Sequence, residues 1–373
     1  MSRKLPSLDE HEEAAASSEA EQLRAELTNA RARIRSLEKQ RIAADRIVEI
    51  ARTSIKALPP VRPPAIPTRR KDHRTRESAV LLNSCWHIGE VVRREEMGGL
   101  NQYDFATFCS RLQHVVDSVV KYCTQTMAGY DFEELHFIHT GDAVSGIIHD
   151  ELVETNDLNI VEQAHLGALV TAQALRELCA AFPKVVFTGV VGNHGRTEKH
   201  KRWKGKAQVN WDYVFYHYLA CMLAGQPNIS FNIPLSFFAG VEIRGWNFHV
   251  SHGDTAKSWN GIPFYGLNRE AGKWTEIAAL ENKVWHYYVR SHYHTSGTLQ
   301  RPVGEMILNA SLKGGDEYAM GLSLFSDPVQ TLFGVHERHG KTWSLGINAK
   351  SATEPTRYRY DRTRPLAAQI GNA

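Results

Sequence analysis

The chain has 373 residues, 44 Lys and Arg against 41 Asp and Glu for a formal net charge of +3, and 42% apolar residues. That size and apolar share suit one large α/β domain with an appendage, or two domains, and the near-balance of charge gives no global argument for a polyanionic partner. No apolar run reaches transmembrane length and no charged-then-apolar leader opens the chain, so the expectation is a soluble, unexported, cytoplasmic protein with no membrane contact.

Residues 1–58 are rich in Ala, Glu and Arg. Leu23, Leu27, Ala30, Ile34, Leu37, Arg41, Ala44, Val48 and Ala51 step alternately by four and three, which is the seam spacing of a coiled coil. This predicts an N-terminal helix that could pair with a second copy, giving a homo-oligomer. The bland alternative is a single amphipathic helix, since Ala and Arg weaken the seam. Residues 59–78 form a linker: five prolines lie between Pro59 and Pro67, and a basic run, Arg69 to Arg74, follows.

The main domain is assigned to residues 79–350. Apolar runs predict strands at Ala79–Asn83, Leu135–Ile138 and Val185–Val191; helical spacing predicts helices at Asp104–Met127, Val161–Phe182 and Asn210–Leu223. Alternating strands and helices imply parallel pairing, with functional loops at the carboxyl ends of the strands. After Phe231 the pattern changes to strands separated by turns: Ser236–Val241, Asn247–Ser251, Trp285–Arg290, Glu305–Asn309 and Trp343–Asn348. Residues 351–373 read as a flexible basic tail. The five cysteines lack disulfide-like spacing; Cys109, Cys123, Cys179 and Cys221 fall in helical apolar patterns and read as inert core residues. There is no Gly-x-Gly-x-x-Gly or phosphate-loop motif, so nucleotide-driven chemistry is not expected.

Four apolar runs end in clusters of metal-type ligands: Ser84-Cys85-Trp86-His87, Gly141-Asp142, Gly192-Asn193-His194, and His252-Gly253-Asp254 with His292-Tyr293-His294. Each cluster alone is weak, because a lone strand-end His is usually a hydrogen-bonded surface residue. Their order, each after a strand, carries the weight. The set resembles the calcineurin-like metallophosphoesterase superfamily, whose pattern is Asp-x-His, Gly-Asp, Gly-Asn-His, His and Gly-His-x-His, over roughly residues 79–320. The resemblance implies a four-layer αββα sandwich of two sheets flanked by helices. It implies two divalent ions (manganese, zinc or iron), one held by Cys85, His87, Asp142 and His294 and the other by Asp142, Asn193, His252 and His292. Asp142 would bridge them, and His194 would assist the phosphate and protonate the leaving oxygen.

One departure from the family's pattern is serious. Cys85 stands where the pattern has Asp, and a thiolate suits zinc or iron better than manganese or magnesium. The variant could favour thiophilic metals, load one metal poorly, or be crippled; the intact remaining ligands favour retained activity.

Beside the third cluster, six of the eleven residues from Arg196 to Lys206 are Lys or Arg, with Trp203 among them. Arg196, Lys199, Lys201 and Arg202 could neutralise phosphates while Trp203 stacks on a base; a solvated face is the bland reading. A second block, Asn309 to Tyr318, resembles a run in bacteriophage-type members of the superfamily, regarded as exonucleases or phosphoesterases of undefined substrate. There Lys313 could face substrate phosphate, or the block could be a surface turn. The leading expectation is metal-dependent phosphodiester hydrolysis by a nuclease acting on DNA or RNA. A phosphatase or small-nucleotide phosphodiesterase, and a non-catalytic nucleic-acid- or partner-binding protein, remain as alternatives.

Overall fold

The computed structural model describes residues 23–24, 26–35, 59–62, 74–257, 263–352 and 355–370. The chain divides into two compact units, residues 1–54 and 55–373. In the first, residues 26–35 are helical, and Leu23, Leu27 and Ile34 are each more than half exposed. The seam from Leu37 to Ala51 lies outside the described residues, as does the basic run at 69–73.

The second unit is built on two sheets. The first has six strands, β1 (Thr75–Asn83), β2 (Tyr130–His139), β3 (Lys184–Gly189), β4 (Ile229–Asn232), β10 (Val329–His336) and β11 (Gly340–Asn348), in the order β11-β10-β1-β2-β3-β4. From β1 to β4 all pairing is parallel, whereas β10 joins β1 and β11 antiparallel. The second sheet has β5 (Phe238–Ile243), β6 (Trp246–Ser251), β7 (Tyr287–Arg290), β8 (Gly297–Gln300) and β9 (Glu305–Leu308), in the order β5-β6-β7-β9-β8, with β6, β7 and β9 parallel.

Side-chain alternation along each strand decides what lies between the sheets. Val80 and Leu82 of β1, with Ile138, Phe333 and Val335, meet Phe248, Val250, Val289 and Ile307 of the second sheet in one buried cluster. The outer face of the first sheet is covered by α1 (Phe105–Lys121), α3 (Ile160–Ala181) and α4 (Trp211–Met222). Aromatic rings fill that layer: Trp86 lies 5.4 Å from Phe108 of α1, and Phe187 of β3 lies 5.6 Å from both Phe137 and Tyr216. The outer face of the second sheet packs Tyr288, Met306 and Leu308 against Leu267 and Ala271 of α5 (Phe264–Ala279). Helix, sheet, sheet, helix is the four-layer sandwich expected.

Helix starts follow their caps. Asp104 accepts the Thr107 amide at 2.7 Å ahead of α1, and Asn159 and Glu162 form a reciprocal capping box at the start of α3. Three readings of the sequence are corrected. Residues 355–370 are not a loose tail: Tyr358 is buried, Arg357 pairs with Asp117 and Glu177, and a short helix, α7 (Leu366–Ile370), follows. Cys221 is exposed on α4, unlike Cys109, Cys123 and Cys179. Finally, α5 and β10 were not anticipated. No helix among the described residues is long and apolar enough to cross a membrane.

Candidate metal centre

Each ligand cluster leaves the carboxyl end of a strand: Cys85 and His87 after β1, Asp142 after β2, Asn193 and His194 after β3, His252 after β6, and His292 and His294 after β7. The loops are knitted through their backbones. Cys85 N–H donates to Gly141 O at 3.0 Å, Trp86 and His87 N–H donate to Asp142 O at 2.8 and 3.1 Å, and Ser291 N–H donates to His252 O at 2.8 Å. Rigid strand ends therefore hold the ligand-bearing segments against one another.

Three overlapping groups bring donor atoms within 4.8 Å of one another: Cys85, His87 and His294; Cys85, Asp142 and His252; and His87, Asp142 and His194. His87 Nε2 and His294 Nε2 lie 3.1 Å apart, and Cys85 Sγ falls within 4.8 Å of both rings' donor atoms. His252 Nε2 lies 3.2 Å from His292 Nδ1, 3.0 Å from Asn193 Oδ1 and 2.9 Å from Asp142 Oδ2. Ligand atoms on a tetrahedral zinc with bonds of about 2.0–2.1 Å are roughly 3.3 Å apart, so these spacings match a donor set converging on a cation. Outer partners fix the rings: His252 Nδ1 faces Thr140 O at 2.8 Å, and His87 Nδ1 faces Glu90 Oε2 at 3.4 Å. Such contacts hold the opposite nitrogen toward a metal. The chemistry of the donor set fits a divalent cation, with Cys85, His87, Asp142, His194, His252 and His294 in the groups close enough to hold one.

Burial disfavours a charge on His252, but Asp142 outweighs it and raises its pKa, so a cation there competes with a proton. Burial works against the Asp142 carboxylate, but His252 and His194 outweigh it and hold its pKa well below the usual range. Burial pushes His292 down to about 4 and His294 down to about 3, leaving neutral imidazoles with lone pairs to offer. Burial, with Asp142 adding to it, pushes the Cys85 thiol up; thiolate character there requires a compensating cation.

His194 sits differently. Its backbone N–H donates to Asp142 Oδ1 at 2.8 Å and its Nδ1 faces Ser145 O at 3.0 Å, while its ring lies 4.4 Å from that of His87. With Nδ1 engaged, Nε2 is available for a substrate oxygen. His149, which the sequence did not single out, places its exposed ring 5.4 Å from His194.

Of the expected substrate contacts, Lys313 is misplaced. It is only 1% exposed, and its ammonium donates to Glu90 at 2.6 Å and to Asp316. Burial opposes its charge, but the two carboxylates outweigh that and raise its pKa. It braces Glu90 behind His87 and does not face substrate. The Arg196–Lys206 loop lies beside the centre: Arg196 Nε donates to Asn193 O at 3.0 Å, and Lys201 and Lys206 donate to Asp254 O and its carboxylate at 2.7 and 3.0 Å. Lys199 pairs with Asp150 and Arg202 with Glu198. Trp203 is 60% exposed and meets Phe237 edge-on at 6.1 Å.

The fold and the order of its loops are those expected: a four-layer αββα sandwich with the candidate ligand clusters at the carboxyl ends of its strands. No family model and no curated protein matches the chain. Among solved structures it is similar to a novel archaeal phosphodiesterase at 10% identity and a TM-score of 0.32, covering 72% of this chain and 99% of that one. It is similar to vacuolar protein sorting 29 from Cryptosporidium parvum (11% identity, TM-score 0.32, 72% and 96% covered). A hypothetical protein from Pyrococcus horikoshii shows 10% identity and a TM-score of 0.35, with 79% and 92% covered.

Proposed function

We propose that this protein hydrolyses phosphodiesters with a pair of divalent ions, and that its substrate is a nucleic acid. The observation that carries the first part is that Cys85, His87, Asp142, His252 and His294 bring donor atoms within 4.8 Å of one another in overlapping groups, with Asp142 Oδ2 2.9 Å from His252 Nε2. Two ions held there would acidify a water and neutralise phosphate oxygens. The chain's own residues supply the rest. Cys85, His87 and His294 hold one position, and Asn193, His252 and His292 the other. Asp142 contributes to both. His194, its Nδ1–H turned to Ser145 O, leaves Nε2 facing the substrate, and its imidazolium form would hand a proton from there to the departing oxygen.

The nucleic-acid reading is supported by the tethering of the Arg196–Lys206 loop to Asn193 and Asp254, which keeps its cations beside the ligands. The exposed pairs Lys199–Asp150 and Arg202–Glu198 are worth about 0–1 kcal/mol each. They yield readily to phosphate, and Trp203 offers an open ring for a base. Those same local pairings favour the second reading, a small phosphodiester substrate that never touches the loop. Labelled DNA and RNA and a chromogenic phosphodiester, each tested with manganese, zinc and iron separately, decide. The nuclease reading expects polymer cleavage with at least one metal; cleavage of the small diester alone selects the second reading.

A further inference from the structure

We infer that Asp212 is a positioning residue for the metal centre, holding two ligand loops in register from beneath. This rests on the metal-binding reading above, not on the nature of the substrate.

Asp212 is completely buried in the first turn of α4, and both its carboxylate oxygens are occupied by backbone N–H groups of the ligand loops. Oδ2 accepts from Asp142 at 2.9 Å and from Gly192 at 2.8 Å; Oδ1 accepts from Ala143 at 3.0 Å and Val144 at 3.3 Å. One side chain therefore staples the loop after β2 to the loop after β3.

The staple answers a specific problem. These two loops touch backbone to backbone: a Cβ on Gly192 would overlap Asp142 Oδ1, and one on Gly141 would overlap the Gly192 amide. Close approach turns their N–H groups inward, where buried donors need an acceptor. Asp142 also sits at φ 55, a left-handed conformation costing about 1–3 kcal/mol, which persists only where surroundings enforce it. The staple is itself anchored. Asn210 Oδ1 accepts the Asp212 amide at 2.8 Å, Asn210 Nδ2 donates to Gly192 O at 2.9 Å, and Trp211 N–H donates to Gly195 O at 2.6 Å. The start of α4 is thus docked under the segment that presents Asn193 and His194. An anion below Asp142 also adds negative charge where cations would bind.

The test compares wild type with Asp212→Asn in the full chain, stripped with chelator and titrated with zinc or manganese alone. Asn keeps the size but turns one acceptor into a donor facing N–H groups. Metal affinity, read by competition with a chromophoric chelator, should fall about 10–100-fold. The rise in melting temperature that metal gives the wild type should shrink accordingly. A lower metal-free melting temperature with unchanged affinity and an unchanged metal-induced rise would overturn the inference and make Asp212 a folding staple only. Should Asp212→Asn not fold, Asn210→Ser carries the test, because it keeps the capping oxygen and removes only the bond to Gly192 O. A several-fold weaker metal affinity supports the inference there, and unchanged affinity overturns it. Wild type that binds neither metal would instead sink the metal-binding reading itself.

Discussion

Cys85, His87, Asp142, His292 and His294 all occupy positive φ, between 47 and 74°, a region that non-glycine residues rarely adopt. They make up five of the eight such residues among those described. Strain concentrated on ligand positions is what a site fixed for function displays, and the knitted loop backbones enforce it. Cys85 shares that geometry, its carbonyl accepting the Ser311 hydroxyl at 2.7 Å while its thiol joins His87 and His294. Its thiol is therefore within reach of a shared cation, where the expected pattern has Asp. Cys85→Asp should supply a hard oxygen and raise manganese-supported hydrolysis relative to zinc. Kinetics with each metal, beside a melting curve, check this; a well-folded Cys85→Asp protein with no gain in manganese activity would remove Cys85 from the ligand set.

Loops and strands divide what was legible from what was not. The ligand loops could be read because each follows an apolar run whose end fixes where polar side chains emerge. The strand β10 could not, because it buries polar residues for a local reason: Gln330 Oε1 accepts the Ser84 amide at 2.8 Å and its amide donates to Ala310 O. With α5, two glycines and a scattered apolar set hid a helix whose stability comes from packing on Tyr288 and Met306. Asp212 was not singled out, since nothing in sequence shows the N–H groups it meets. Lys313 was expected to face substrate phosphate or to sit in a surface turn, because its burial against Glu90 depends on a segment far away in the chain. At this scale the basic loop is the element to test. Neutralising Arg196, Lys199, Lys201 and Arg202 together should weaken polynucleotide binding and flatten its salt dependence. Each lost phosphate contact should lower the log–log slope by about 0.7–0.9. Hydrolysis of a small diester should survive. Unchanged binding and slope would mark the loop as a solvated face.

Across the whole molecule, buried neutral histidines set the acid limit of stability. Burial, aided by Arg290, pushes His249 down to about 2 inside a box of Phe238, Trp274, Trp285 and Tyr288 rings. Burial likewise brings His139, beside the Tyr216 hydroxyl, to about 3. Both bind a proton more weakly folded than unfolded, where histidine titrates near 6.5. Their contribution is therefore complete above pH 6.5 and is lost as pH falls toward 3. Between pH 6.5 and 5 each should remove about 2 kcal/mol from the unfolding free energy. Urea unfolding at both pH values checks this, and His249→Phe should make the drop smaller by about one histidine's share. An identical drop in that variant would rule out His249 as a source.

The proposed metal-dependent phosphodiester hydrolysis depends on the metal-type residues that the two sheets bring together. The most direct measurement is the rate of chromogenic phosphodiester hydrolysis by wild type and Asp142→Ala, each chelator-stripped and then reloaded with zinc, iron or manganese. Stripping should abolish the wild-type rate, at least one metal should restore it, and Asp142→Ala should stay inactive with all three. A wild-type rate indifferent to chelator, or an Asp142→Ala rate restored to the wild-type level, would contradict that dependence.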